Sequence, residues 1–305
     1  MQTILLLIST FLYFSLNKTQ RSKPPLYEIQ NISLSPEMNK QVCISGIKYF
    51  NEKLYFASER CPVIFIANPT TGNIEKSINI QVPGHFEMEG ITSYREKLYL
   101  ISENIAAVYE VDINSGSIKM IQTSAPLPSK SKDGDGMEGV AANEKNNKFY
   151  LLKERNDDRT ESLIYTYSIE TTAESSPITL KYESVISLPL ENTQWRYSDI
   201  CYDSENSKLI CLKSFSKGKL RKQYLETIDI DENGNLAATT LKEIVIENFS
   251  ETSNKYKDLD YSMNLEGITL DSEGNYYVIS DNTSGKAICD APAKEKTILL
   301  KLKRK

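Results

Sequence analysis

Five related segments recur along this chain, and each can form two neighbouring β-strands joined by a short turn. Within each segment apolar and polar residues alternate with a period of two, which indicates strands rather than helices. The segments start 44, 49, 61 and 67 residues apart, and self-similarity at such intervals is typical of stacked supersecondary units. The starting residues are Ser45, Glu89, Glu138, Asp199 and Glu266.

More strand-like runs follow each repeated pair. Third strands are predicted at 63–67, 107–113, 163–169, 225–230 and 297–302. Fourth strands are predicted in the first four units, at 74–82, 117–123, 178–189 and 239–247. The last unit has no fourth strand, whereas an unmatched run at 26–34 precedes the first unit. We therefore predict an all-β, five-bladed β-propeller whose last blade is closed by the N-terminal strand, with a six-bladed ring as the alternative.

The chain shows two parts by composition. Residues 26–305 contain no Pro/Gly/Ser-rich linker, so we predict that they form a single propeller domain. Residues 1–20 indicate a signal peptide or an N-terminal anchor, because the apolar run 3–16 has the length of a secretory h-region. A strand buried in the fold is the alternative. We expect an exported monomer (periplasmic, cell-surface or secreted) that contacts a membrane only through an uncleaved leader.

Charge and histidine content exclude several classes of function. The net charge of −5 argues against a nucleic-acid partner, because phosphate binding needs a basic face. His85 is the only histidine, so a multi-histidine zinc site is excluded. A Ser-His-acid triad would have to use the same residue, and the sequence has no GxSxG elbow, P-loop or dinucleotide fingerprint.

The repeat places acidic residues at matching positions. In a propeller the first strand of a blade lines the central channel and the second strand is antiparallel to it, so the start of one meets the end of the other. Carboxylates crowded in this way raise one another's pKa or recruit a cation. Oxygen ligands favour calcium, with magnesium or manganese as alternatives. The other interpretation is that each acid caps its own blade through backbone N–H groups. The eight carboxylates expected at this mouth are Glu59, Glu89, Glu103, Glu138, Glu154, Asp199, Glu266 and Asp281.

The segments that enter the first strands form the rim of the same mouth. They carry aromatic and cationic side chains, and other such groups are expected beside the acids. This mixture is what a small polar or anionic ligand, or a protein or glycan partner, would need. The candidate ligand-binding residues are His85, Arg155, Trp195, Arg196, Lys213 and Tyr261.

The five cysteines can be placed on the predicted hairpins. If Ser45 faces Glu59 in the first hairpin, Cys43 and Cys61 fall on the same register, and we predict that they are close and form a disulfide. Cys289 is then left single.

The fourth hairpin repeats this arrangement. If Asp199 faces Lys213, then Cys201 faces Cys211, and we predict that these two thiols are also close. Whether they bond is left open, because directly opposed strand residues can strain a disulfide.

The repeated segments resemble the SdiA-regulated and "esterase-like activity of phytase" propellers. More distantly they resemble gluconolactonase-type propellers, whose Glu-Gly at the start of a strand supplies an axial calcium ligand. The matching segments are MEGITSYREKLYLISEN, GMEGVAANEKNNKFYLLKER and NLEGITLDSEGNYYVISDN. The resemblance implies that Glu89, Glu138 and Glu266 face a metal, and it implies cleavage of phosphoesters or carboxylesters.

Two blades depart from the family pattern. Ser45 and Asp199 replace Glu, Ile200 replaces Gly, and Lys213 replaces an acid. We therefore expect blades one and four to contribute no metal ligand, and Lys213 to contact an anionic substrate or to neutralise a neighbouring acid.

Two functions are consistent with the sequence. The first is an exported calcium-binding propeller with metal-assisted ester or phosphoester hydrolase activity. The alternative is a non-catalytic envelope protein that binds a peptide, glycan or protein partner at the acidic mouth. Propellers host many functions, so the fold does not choose between them.

Overall fold

The computed structural model describes residues 27–82, 84–171, 177–218, 220–246, 248–250, 259–283 and 288–305. The predicted leader lies outside these residues, as does Leu26 of the predicted closing strand. Among the described residues, no helix has the length and apolar character that a membrane crossing needs. A 3-10 turn, Pro36–Asn39, precedes the first blade.

The described strands form five sheets that are the blades of a propeller, and the four main strands of each blade are antiparallel. Blade one consists of β2 (Ile44–Phe50), β3 (Lys53–Ser58), β4 (Val63–Ala67) and β5 (Ile74–Asn79). Blade two consists of β6 (Met88–Tyr94), β7 (Lys97–Ser102), β8 (Ala107–Val111) and β9 (Ile118–Met120).

Blades three and four have longer outer strands. Blade three consists of β11 (Met137–Asn143), β12 (Lys148–Lys153), β13 (Glu161–Glu170) and β14 (Thr179–Pro189). A short strand, β10 (Gln122–Thr123), pairs with β14 in parallel. Blade four consists of β15 (Trp195–Asp203), β16 (Lys208–Lys217), β17 (Leu220–Ile230) and β18 (Leu236–Ile244).

Blade five is built from both ends of the described chain. Its strands β19 (Asn264–Leu270), β20 (Tyr276–Asp281) and β21 (Leu299–Arg304) are completed by β1 (Tyr27–Ile32). β1 runs antiparallel to β21 along its whole length, from the Tyr27–Arg304 pair to the Ile32–Leu299 pair. The predicted five-bladed ring with an N-terminal closing strand is therefore confirmed, and the described strands leave no sixth blade.

One apolar cluster fills the space between each pair of neighbouring blades. This follows from the alternation along the inner strands, whose successive side chains point to opposite faces of the blade. Between blades two and three, for example, the rings of Tyr94, Tyr99 and Phe149 pack edge to face. Burying one such side chain contributes roughly 1.5–3 kcal/mol. The five clusters together hold the ring without a single central core.

Glycine follows Glu89, Glu138 and Glu266, and it follows Ser45 in blade one, because the inner strands meet closely at the axis. A Cβ added at Gly90 would lie 2.7 Å from the carbonyl oxygen of Glu138 and 2.7 Å from the amide nitrogen of Val140. These are backbone atoms of the next blade and cannot move aside like a side-chain end. The close approach of neighbouring inner strands therefore leaves no room for a side chain at Gly90.

Each inner strand carries a β-bulge at the position of the repeated acid. In blade four the bulge falls at Ser198, between the pairs Tyr197–Lys213 and Asp199–Leu212. Ser198 therefore corresponds to the Glu of other blades, and Asp199 occupies the place of the Gly. Matching Asp199 of blade four to the first acid of the other repeats is therefore wrong by one residue. The reason is that a bulge inserts a residue that a simple alternating register does not count.

The predicted facing of Cys201 and Cys211 is wrong for the same reason. Cys201 lies opposite Ile210, and Cys211 lies opposite Ile200. A slip of one residue moves a side chain to the other face of the sheet. Cys201 accordingly packs between blades four and five, and Cys211 packs between blades three and four, each as a buried thiol.

The predicted Cys43–Cys61 disulfide is also wrong, although both sulfurs contact the carbonyl oxygen of Gln41, at 3.8 and 3.5 Å. Cys61 is bonded to Cys289, and Cys43 is a buried thiol. Cys289 lies in the connection between β20 and β21, which sequence periodicity does not place. That connection runs beside the entry to blade one, where the Gln41 amide donates to the Ala291 carbonyl at 2.8 Å.

Peptide mapping of the non-reduced protein is expected to recover one disulfide-linked pair, containing Cys61 and Cys289. Cys43, Cys201 and Cys211 are expected to react with an alkylating reagent only after unfolding, because all three are buried. A Cys43–Cys61 crosslink in the native protein would contradict this pairing. The Cys43→Ser variant is the control and should leave the crosslink unchanged.

The Gly90→Ala variant is expected to lower the free energy of unfolding by about 1–3 kcal/mol or more, since the added methyl overpacks backbone against backbone. Thermal denaturation would measure the change. Ser77→Ala, on the exposed outer strand of blade one, is the matched control and should be close to neutral. A Gly90→Ala variant as stable as this control would show that the inner strands are not tightly apposed.

Candidate functional site

Seven of the eight predicted acids come together at one end of the central channel, and we call this set the acidic mouth. Five of these carboxyl groups have raised pKa values, and in each case the charge of an acid from another blade contributes to the rise. The convergence follows from ring closure, which turns a linear repeat into a circle. The members of the acidic mouth are Glu59, Glu89, Glu103, Glu138, Glu154, Glu266 and Asp281.

Burial raises the pKa of several of these carboxyls above the ordinary value, and like charges add to it. The pKa values of Glu89 and Glu138 are raised well above normal, first by burial and then by neighbouring glutamates. Burial also raises the pKa of Glu103 and of Glu266 to about 7, against the opposing effect of a paired cation. Burial and the charge of Glu266 raise the pKa of Asp281 to about 8. Part of the acidic mouth is therefore protonated at neutral pH.

Arg196 lies inside the acidic mouth rather than on its rim. Its Nη1 donates to Glu154 Oε1 at 2.7 Å, and its Nη2 donates to Glu266 Oε1 and, at 3.2 Å, to Asn264 Oδ1. One guanidinium from blade four thus holds carboxylates from blades three and five. The sequence marked Arg196 as a candidate ligand-binding residue, and the structure gives it these carboxylate partners.

Other cations surround the same face. Lys130 donates to Glu103 and, at 3.2 Å, to Glu87. Arg155 donates to Asp135 Oδ1 through Nε at 2.9 Å and to Glu154 Oε2 at 3.2 Å. Sequence reasoning missed Lys130, because it lies in an entry loop for which the repeat has no register.

Asp199 is a capping residue in this structure. Its Oδ1 accepts from the Ile200 amide and its Oδ2 accepts from the Ile268 amide of blade five, both at 2.8 Å. The alternative interpretation of the acids, as caps on backbone N–H groups, describes Asp199 correctly. A sequence signal for the correct register of blade four does exist, because every blade has a β-branched apolar residue two positions after the bulge. These residues are Ile47, Ile91, Val140, Ile200 and Ile268.

Lys213 and Trp195 belong to the sheet of blade four. Lys213 Nζ pairs with Glu191 at 2.8 Å and Glu226 at 3.3 Å, and it lies 5.2 Å from the Trp195 ring centroid. The prediction that Lys213 takes the place of a mouth acid is therefore wrong, since the bulge gives that place to Ser214. Ser214 lies 3.3 Å from Ser198, oxygen to oxygen.

The remaining two rim candidates are placed at the surface or against the core. The His85 side chain is 76% exposed and its Nε2 lies 3.3 Å from Glu87 Oε1. Tyr261 packs against the cluster between blades four and five, with Lys296 Nζ 5.7 Å from its ring centroid. Neither contact points to a ligand.

The donor chemistry of the acidic mouth suits a hard cation, but the arrangement does not fit one. Glu138 makes no hydrogen bond or ion pair with the described residues, and Glu266 Oε2 is buried without a partner among them. However, no three or more His, Cys, Asp or Glu side chains in the described part of the chain are placed to hold one ion. Arg196 and Lys130 hold the neighbouring carboxylates instead. The calcium site stays a prediction from the sequence.

Stability is expected to fall as pH rises from 5 to 8. The raised pKa of Asp281 means that the folded protein keeps a proton that the unfolded chain has released, so the folded state loses stability through this window. The loss from one such group is at most about 1.4 kcal/mol per pH unit.

Denaturation across pH measures this effect. The Asp281→Asn variant should show a shallower pH dependence than the wild type, whereas Asp290→Asn, at an exposed ion pair, should leave the profile unchanged. An Asp281→Asn profile as steep as the wild type would contradict the raised pKa.

Comparison with known proteins agrees with the fold. An 11%-identical glutaminyl cyclase from Myxococcus xanthus matches with a TM-score of 0.51, over 92% of this chain and 97% of that one. An α-L-arabinofuranosidase from Podospora anserina, 12% identical, matches with a TM-score of 0.51, over 92% and 98%. These likenesses concern the fold alone. A search of curated proteins found no match. The family described as Phytase-like, esterase-like activity of phytase, matches residues 46–283, and the chain therefore belongs to the phytase-like, esterase-like family of β-propellers.

Proposed function

We propose that this propeller is an ester hydrolase and that the acidic mouth is its active site. Family membership supports the reaction class, because the family is described by an esterase-like activity. The location is supported by the convergence of buried carboxyl groups from several blades at one end of the channel. Buried acids with perturbed pKa values are frequent at catalytic sites.

The observation that carries the proposal is the state of Glu138. Its side chain is buried, 9% of the residue is exposed, and it makes no hydrogen bond or ion pair with the described residues. Burial, and then the charges of Glu89 and Glu154, raise its pKa well above the ordinary value. The raised pKa favours the protonated form of the Glu138 carboxyl, and no described residue makes a hydrogen bond to that side chain. A structural acid would be expected to hold a backbone amide, as Asp199 does.

A protonated carboxyl of this kind can serve as a general acid. In the hydrolysis we propose, the oxygen of water bonds to the acyl carbon and the bond from that carbon to the alkoxy oxygen breaks. The proton of Glu138 passes to the departing alkoxide, and the proton released by water passes to a neighbouring carboxylate of the mouth. The two transfers balance, so the site returns to its starting charge.

The charge of the site favours a carboxylic ester over a phosphate monoester. Seven carboxyl groups line the mouth, and the cations beside them, Arg196, Lys130 and Arg155, are each already paired with carboxylates. A dianionic phosphate would meet like charge there, whereas an uncharged ester would not. The proposed substrate is therefore a neutral carboxylic ester, and phosphoesters are the second choice.

Export is part of the same proposal. The Cys61–Cys289 disulfide supports it, because such bonds persist mainly in oxidising compartments. The sequence-based expectation of a leader concerns residues outside the described part of the chain.

The competing function is binding without turnover. The same acidic mouth suits the cationic groups of a peptide or protein partner. The binding function predicts that Glu138 contributes to the affinity for this partner and that no ester is cleaved.

Purified protein should hydrolyse p-nitrophenyl butyrate faster than p-nitrophenyl phosphate. Glu138→Gln keeps the shape of the side chain and removes the transferable proton, so kcat is expected to fall by at least about 100-fold with little change in the melting temperature. Glu243→Gln, on the exposed face of β18, is the matched control and should retain activity.

Two results would overturn the hydrolase proposal. One is equal turnover by the wild type and Glu138→Gln, which would place the chemistry elsewhere. The other is an absence of turnover of both esters, with and without added calcium, which would favour the binding function.

A further inference from the structure

We infer that Arg196 is a built-in counter-cation of the acidic mouth, and that its guanidinium takes the place of the metal ion that the family resemblance implies. This inference goes beyond the proposed hydrolase activity and does not depend on it. It starts from the disagreement between the expected calcium site and the contacts that the side chains make.

The contacts of Arg196 span three blades. The guanidinium leaves β15 of blade four and bonds Glu154 at the end of the second strand of blade three. It also bonds Glu266 at the bulge of β19 in blade five. These two glutamates occupy the positions that the repeat assigns to metal ligands. Arg196 therefore joins carboxylates across the channel, which is the role that a shared ion would have.

Blade four is altered in a way that fits this role. Its two positions equivalent to the mouth acids are Ser198 and Ser214, which carry no charge. The Ser198 hydroxyl donates to the Leu265 carbonyl at 3.1 Å and the Ser214 hydroxyl donates to Gln223 Oε1 at 2.8 Å. Removing two acids from one blade lowers the negative charge of the mouth, and placing an arginine two residues before the bulge adds a positive charge. The blade that lacks both acids is thus the one that supplies Arg196.

Some of the other oxygen atoms near the axis are already used, whereas Glu266 Oε2 is buried without a partner among the described residues. Ser45 donates to Glu89, and both carboxylate oxygens of Asp199 accept backbone amides. Calcium takes six to eight oxygen ligands. An ion at Glu154 and Glu266 would have to displace the guanidinium, and no three His, Cys, Asp or Glu side chains of the described residues are placed to hold it.

Arg196 is also held in its charged form. Burial opposes the charge, but Glu266, Glu154 and Glu138 raise the pKa of the guanidinium well above its ordinary value. Arg196 therefore keeps its positive charge at neutral pH, as a bound metal ion would. Unlike the occupancy of a metal site, this charge does not depend on the concentration of a metal.

Thermal stability and metal binding test the inference without an activity assay. The wild-type melting temperature should be the same in EDTA and in millimolar calcium chloride, and calorimetric titration with calcium alone should show no saturable binding. Arg196→Met should lower the melting temperature by about 6 °C or more in EDTA, because two buried carboxylates lose the cation that they share. Calcium should restore part of this loss. Arg196→Lys, which keeps the charge, should lose less than Arg196→Met.

Arg304→Met is the matched control, since Arg304 makes an exposed ion pair with Glu205 at 3.7 Å. It should change the melting temperature little and should not respond to calcium. If Arg196→Met does not fold, the wild-type titration decides the question by itself.

Three outcomes would overturn the inference. The first is saturable calcium binding by the wild type that Glu138→Gln abolishes, which would place a metal in the mouth beside Arg196. The second is an Arg196→Met variant as stable as Arg304→Met. The third is a destabilised Arg196→Met variant whose melting temperature does not rise when calcium is added. That result would show that a calcium ion cannot replace the guanidinium in the acidic mouth.

Discussion

Closure of the ring is the constraint on which the rest of this structure depends. β1 pairs with β21, so the two ends of the described chain share one blade and no inner strand is left without a neighbour. Each blade then buries both faces against the next, in five separate apolar clusters. The Cys61–Cys289 disulfide ties the connection of blade five to blade one beside the same closure. An open arc of the same blades would leave two apolar faces in water and would scatter the acids.

Closure also creates an electrostatic problem. Carboxyl groups that are far apart in the sequence are brought within range of one another in a buried setting, where like charge and lost hydration both disfavour ionisation. The structure reduces this repulsion in two ways. Some groups, such as Glu138 and Asp281, have raised pKa values, which favour their protonated forms. Others are paired with cations, above all Glu154 and Glu266 with Arg196.

Much of the fold could be predicted from the sequence, because the alternation of apolar and polar residues that marks each strand is a local pattern. Alternation located the strands, and the missing fourth strand of the last unit indicated the closing role of the N-terminal run. The bulge could not be predicted, since it depends on how two strands pair. That one residue accounts for the errors at Asp199, Lys213 and the Cys201–Cys211 pair. The partner of Cys289 was missed for another reason, because a connecting segment has no period from which to read its neighbours.

By itself, the sequence determined the propeller fold, the closing strand and the expectation that acids gather at one mouth, because repeats of strand-forming residues have few ways to bury their apolar faces. It favoured five blades over six, and the structure has five. Only the tertiary structure decided which acids are free, which are capped and which are paired. Those outcomes depend on side chains from different blades meeting across the channel, as Arg196 meets Glu154 and Glu266. A contact between residues tens of positions apart leaves no trace in local periodicity, so its chemistry is visible only in the closed ring.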